Sequence, residues 1–138
     1  MKSKTNQLLL FICLITIHLS CTRTTREAHH PVFTNQAQAE SELVGLAEAE
    51  NINLSGIQST TNGQVSTELE VAVINGMDLP LNADQQNALQ KSIASSIRRN
   101  LQDSNQFDIY KVLFVEKTES NGLTKSKSTG RSFEVSEL

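Results

Sequence analysis

The chain has 138 residues, with 12 Lys and Arg against 15 Asp and Glu, a formal charge of −3, and no Trp. An acidic chain without a basic cluster is a poor nucleic-acid ligand, because phosphate neutralisation supplies most of that affinity. The same overall balance argues against an electrostatic grip on anionic lipid.

In chain order, the first element is an address. Lys2 and Lys4 give a positive start, Leu8 to Ile17 is a short apolar run, and Leu19-Ser20-Cys21 leads into polar sequence. This is the layout of a secretory signal peptide. The run is shorter than the ~20 apolar residues that span a bilayer. Its ending resembles the lipobox of bacterial lipoproteins, with Ser20 as the small residue before the cysteine and His18 departing from the usual aliphatic residue. The resemblance covers residues 1–21. It implies that residues 1–20 are a signal peptide and that Cys21 is acylated, with palmitate-like chains, as the new N-terminus. One chain anchors only marginally at ~0.8 kcal/mol per buried CH₂, so several are needed for stable attachment. It also implies the bacterial envelope. Thr22, where some inner-membrane lipoproteins carry Asp, favours the outer membrane facing the periplasm. An ordinary cleaved signal peptide, or an uncleaved anchor, are the competing readings. With Cys13 discarded and Cys21 lipidated, the remaining chain has no thiol, no disulfide and no thiolate metal site.

Residues 22–36 are polar and lack periodicity, which reads as a tether. Residues 37–50 are rich in Ala and Glu, with Leu43, Val44, Leu46 and Ala47, and suggest a short helix that Gly45 interrupts. The lipidated Cys, tether and possible helix thus occupy residues 21–50, and a compact domain is expected over 51–138. Within it, Asn62-Gly63 signals a two-residue hairpin turn, because both central positions need positive φ. Pairing about that turn sets Gly56 opposite Leu69, Leu54 opposite Val71 and Ile52 opposite Val73, all on one face. Glu68 and Glu70 point the other way.

The clearest helix follows. Leu89, Ile93, Ile97 and Leu101 recur at helical spacing, Asn82 is placed to cap, and Gln85 completes a capping-box pattern. Asp84 suits the positive end of the dipole, and Arg98 and Arg99 suit the negative end. A second hairpin turns at Asn121-Gly122, pairing Glu116 with Lys127, Phe114 with Thr129, Val112 with Arg131 and Tyr110 with Phe133. Gly130 is a candidate bulge that would shift the pairs beyond it. The strand from Ile109 to Val115 is apolar on both faces and reads as central, and the final strand from Ser128 to Glu137 reads as an edge. The expected fold is α+β: a small four-stranded mixed sheet in the order β-β-α-β-β, with one helix packed on one face. A crossover through the helix makes the second and third strands parallel neighbours.

From Asn51 onward there is no His and no Cys, which removes the usual general bases, nucleophile pairs and zinc ligands. No Gly-rich phosphate loop and no Gly-x-Ser-x-Gly elbow is present. Glu68 and Glu70 could form a carboxylate pair but read better as a solvated face. Asp78 and Asp84 read as turn and dipole chemistry. Lys111 reads as a packed stem with its amine in water. His29 and His30 lie in the polar tether, where two adjacent side chains seldom make a metal site. Lys125, Lys127 and Arg131 on the edge guard against sheet-to-sheet pairing. No cofactor and no metal are expected. The expected role is a non-enzymatic, membrane-tethered interaction or accessory module with a protein partner. The alternative is a secreted inhibitor or immunity-like protein acting on an envelope enzyme through the Asn121-Gly122 tip or the strand from Ser126 to Arg131.

Overall fold

The computed structural model describes residues 23–76 and 82–138. The segment read as a signal peptide, Cys21 and Asp78 lie outside the described residues. The elements are β1 (Thr24–Ala28), α1 (Gln36–Ala47), β2 (Asn51–Thr61), β3 (Gln64–Ile74), α2 (Ala83–Asn100), β4 (Ile109–Ser120), β5 (Leu123–Glu134) and a closing 3₁₀ turn, Val135–Glu137. The class is α+β, with two helices and one five-stranded mixed sheet in the order β1-β2-β3-β4-β5. The expectation of four strands is therefore corrected to five, and the short helix suggested over residues 37–50 is present as α1, packed onto the same core as α2.

Both hairpins turn where the Asn-Gly pairs put them. Asn62 and Gly63 sit at φ 52 and 80, and Asn121 and Gly122 at φ 54 and 76. The β2–β3 register pairs Leu54 with Val71, Ile52 with Val73 and Gly56 with Leu69. The β4–β5 register pairs Glu116 with Lys127 and Tyr110 with Phe133. β3 and β4 run parallel, joined through α2. β5 runs straight through Gly130, paired with Leu113, so the candidate bulge does not form. The position is crowded all the same, and a side chain there would require Leu113 to change rotamer. A Cβ would fall inside contact distance of the Leu113 side chain and 3.0 Å from the Val112 carbonyl oxygen.

The core lies between one face of the sheet and the two helices. Leu69, Val71 and Val73 from β3 meet Tyr110, Val112 and Phe114 from β4, under Ile93 and Ile97 of α2 and Leu43 and Ala47 of α1. The spacing of four buries Ala39, Leu43 and Ala47 along one stripe of α1, which runs through Gly45 without a break. α2 carries the full capping box, with Asn82 accepting from Gln85 and Gln85 reaching back to Asn82.

The segment read as a tether is built into the fold. β1 pairs antiparallel with β2, from Thr24 opposite Thr61 to Ala28 opposite Ile57. After β1, His29 donates its backbone N–H to the Gly56 carbonyl at 2.8 Å, Thr34 to Asn100 at 3.0 Å, and Gln102 to Val32 at 2.8 Å. The His29 ring meets Phe107 edge to face at 5.2 Å. Side-chain patterning misses this segment because every residue of β1 is exposed. Backbone hydrogen bonds to an open sheet edge hold it, and these leave no apolar alternation.

Candidate functional site

The feature that stands clear of the body is the far half of the β4–β5 hairpin. β3 ends at Ile74, opposite Val115, while β4 and β5 continue in register to the turn. Residues 116–127 have no third strand beside them and are exposed throughout. Five residues beyond Val115 at ~3.4 Å each make an arm of roughly 17 Å. Asn75 is the hinge post at its base. It adopts φ 47, donates its backbone N–H to the Val115 carbonyl at 3.0 Å, and accepts from the Lys117 N–H through Oδ1 at 2.8 Å. Its Nδ2 donates to Glu50 at 2.6 Å. One side chain thus closes β3 and continues the ladder for one further step.

The arm carries Glu116, Lys117, Glu119, Lys125 and Lys127, with Leu123 near its tip 67% exposed. Strand alternation puts Lys125 and Lys127 on the same face as Arg131, whose guanidinium sits 5.6 Å over the Phe133 ring. The sequence identified the hairpin and the three cations. It did not show that the hairpin projects beyond its neighbours, because that depends on where β3 ends in space. Nor did it single out Asn75, although an Asn-Gly pair just after an apolar strand is a turn signal.

A second feature is a cleft of about 460 Å³ between α1, β2 and the segment after β1. His30, Gln36 and Glu40 rim an apolar floor of Leu43, Ile52 and Leu54. Its volume falls in the range of small-molecule sites. His30 and Glu40 line one cleft because the chain after β1 is held against the body through the His29 and Gln102 backbone bonds, which differs from the free tether expected of the two histidines. His29 is turned to Phe107, and the two rings do not act as a pair.

The remaining candidates take structural roles. Glu70 and Lys111 are register partners across β3 and β4, and the Lys111 amine lies 2.8 Å from the Glu70 carboxylate. That hydrogen bond, more than the opposing desolvation, raises the Lys111 pKa. Both side chains remain about a third exposed, at 36% and 34%. Glu68 shares that face of the sheet without joining the ion pair. Asp84 lies in the first turn of α2. Arg98 does more than balance a dipole: it donates to the carbonyls of Ser104, Val135 and Leu138 and ties down the closing turn. Arg99 reaches Glu42 at 3.4 Å. Glu42 also accepts from the Ser96 hydroxyl at 2.7 Å and the Asn100 amide at 3.0 Å, and these bonds hold its carboxyl below the usual range. The Tyr110 hydroxyl is buried without a hydrogen-bond partner among the described residues, and burial pushes its pKa up.

Among the described residues, no cluster of three His, Cys, Asp or Glu is arranged to hold a metal ion. No described helix is long and apolar enough to cross a membrane. Comparison with known protein families, curated proteins and solved structures finds no match for this chain.

Proposed function

We propose that the protein is a bacterial lipoprotein, anchored through acyl chains on Cys21 at the outer membrane facing the periplasm, which works by binding another protein. The anchoring half of this reading is supported by the charged start, short apolar run and Leu19-Ser20-Cys21 ending. The binding half is supported by one structural observation, the fully exposed β4–β5 arm beyond Val115. A paired ribbon with alternating charges and an exposed apolar residue near its tip offers both a shape and side chains for recognition. Lys125 and Lys127 at its free edge favour an acidic partner surface.

Metabolic labelling with a fatty-acid analogue tests the anchor. Wild type is expected to take up label and Cys21→Ser to take up none. Cross-linking in the native envelope tests the binding. A reproducible adduct formed by wild type is expected to be lost when Lys125 and Lys127 are both changed to Glu. An adduct that is indifferent to this charge reversal would remove the arm from the interaction.

A second reading is an inhibitor or immunity-like action on an envelope enzyme, favoured by the open outer edge of β5. An extended partner segment can add to such an edge through backbone hydrogen bonds. Hydrolase activity of envelope extract, measured with and without the purified protein, separates the two readings.

A further inference from the structure

We propose that the end of the sheet carrying the Asn62-Gly63 turn lies against the bilayer and that the β4–β5 arm points away from it. This rests on the reading that Cys21 is acylated, and it adds the orientation that such an anchor imposes. The decisive observation is the shortness of the leash. The Arg23 carbonyl accepts a hydrogen bond from the Asn62 N–H at 3.3 Å, and Thr24 already pairs with Thr61. Only two peptide links separate Arg23 from Cys21. Even fully extended, they span roughly 7–8 Å. An acylated Cys21 therefore holds the β2–β3 turn at the level of the lipid headgroups, with no long tether to let the domain tumble.

The surface at that end has suitable chemistry. Residues 23–27 and 58–66 contain Arg23 and Arg26 against one acid, Glu27, which lies opposite Gln58 at the side farther from the turn. The rest is Thr, Ser, Gln, Asn and Gly, with Val65 58% exposed. The whole chain is acidic, yet this end is cationic, and phosphate headgroups attract nearby Arg at short range. Thr and Gln side chains can hydrogen-bond to headgroups, and Val65 can enter the interface.

Topology fixes the other end. β3 is antiparallel to β2 and parallel to β4, so the Asn62-Gly63 and Asn121-Gly122 turns lie at opposite ends of the sheet. Counting from Gln64 to Glu68, across to Ile109 and on to Ser120, the two turns stand about 50 Å apart along the strands, at ~3.3 Å per residue. The stagger that frees the arm from β3 is thus the same stagger that carries it away from the lipid surface.

The test uses the acylated full-length product in phosphatidylethanolamine–phosphatidylglycerol vesicles with a headgroup-borne quencher. Acylation blocks Cys21, so Gln64→Cys and Thr124→Cys each provide one free thiol for a fluorophore. Quenching is expected to be several-fold stronger at position 64 than at position 124. A long Gly-Ser insert after Thr22 is expected to bring the two positions toward equality. Equal quenching in the uninserted protein, or stronger quenching at 124, overturns the orientation while acyl mass and vesicle flotation leave the anchor standing. Lack of acyl mass on Cys21 overturns both. A difference that survives the insert overturns the short leash as its cause.

Discussion

Gly56→Ala probes the contact that converts the segment after β1 from a loose leader into part of the domain. A Cβ built at Gly56 falls well inside contact of the His29 carbonyl oxygen, 3.0 Å from its carbon and 2.9 Å from the Phe107 ring. Two of those atoms are backbone, and Phe107 is fully buried, so neither neighbour can swing aside. Relief requires the chain at His29 to withdraw, which breaks its 2.8 Å N–H bond to the Gly56 carbonyl and loosens β1. Overpacking of this kind costs ~1–3 kcal/mol, and the lost hydrogen bond adds about 1 kcal/mol. The sum is about 2–4 kcal/mol, or a fall in Tm of roughly 10 °C for a domain of this size. Thermal unfolding by circular dichroism measures the global loss. Trypsin measures the local one, since a released β1 exposes the bond after Arg26 and should be cut there faster than in wild type. A variant with wild-type Tm and unchanged cleavage after Arg26 would refute the claim that this segment is locked through Gly56.

Three further outcomes are expected. Asn82→Ala removes the cap of α2 and should lower stability by about 1 kcal/mol in urea unfolding, with Asn82→Asp retaining most of it. Glu42 has a depressed folded pKa, so its stabilisation is present above the ordinary value of 4.5 and is lost as pH falls through the lower folded value. Glu42→Gln should therefore flatten the acid limb of the urea midpoint against pH, and superimposable limbs would count against the clasp with Ser96 and Asn100. Lys111 has a raised pKa, so its contribution is full below the ordinary 10.5 and is lost as pH rises through the folded value. Lys111→Met should lose this alkaline dependence while changing neutral stability by no more than about 1 kcal/mol, because the pair with Glu70 is solvent-screened.

Much of the fold is legible from local chemistry. The two Asn-Gly pairs demand positive φ at both positions, and each turn fixes its hairpin register. The alternation of Ile52, Leu54, Leu69, Val71 and Val73 then selects the buried face. The capping box from Asn82 to Gln85 marks the start of α2 for the same reason: the groups that bond are three residues apart. Of the candidate site, the hairpin and its cations could be read from the sequence. The projection of the arm could not, nor could the cleft that His30 and Glu40 line.

What required the tertiary structure was each long-range contact that no tight turn registers. β1 carries no apolar alternation, because its attachment to β2 is made by backbone groups that all sequences share. The pairing of Lys111 with Glu70 depends on the parallel register of β3 and β4, and the clasp on Glu42 depends on how α1 meets α2. Side-chain periodicity records which face of an element is dry. It does not record which sheet edge is open or which distant group fills it, and those two facts set the fifth strand and the place of Arg23 beside the Asn62-Gly63 turn.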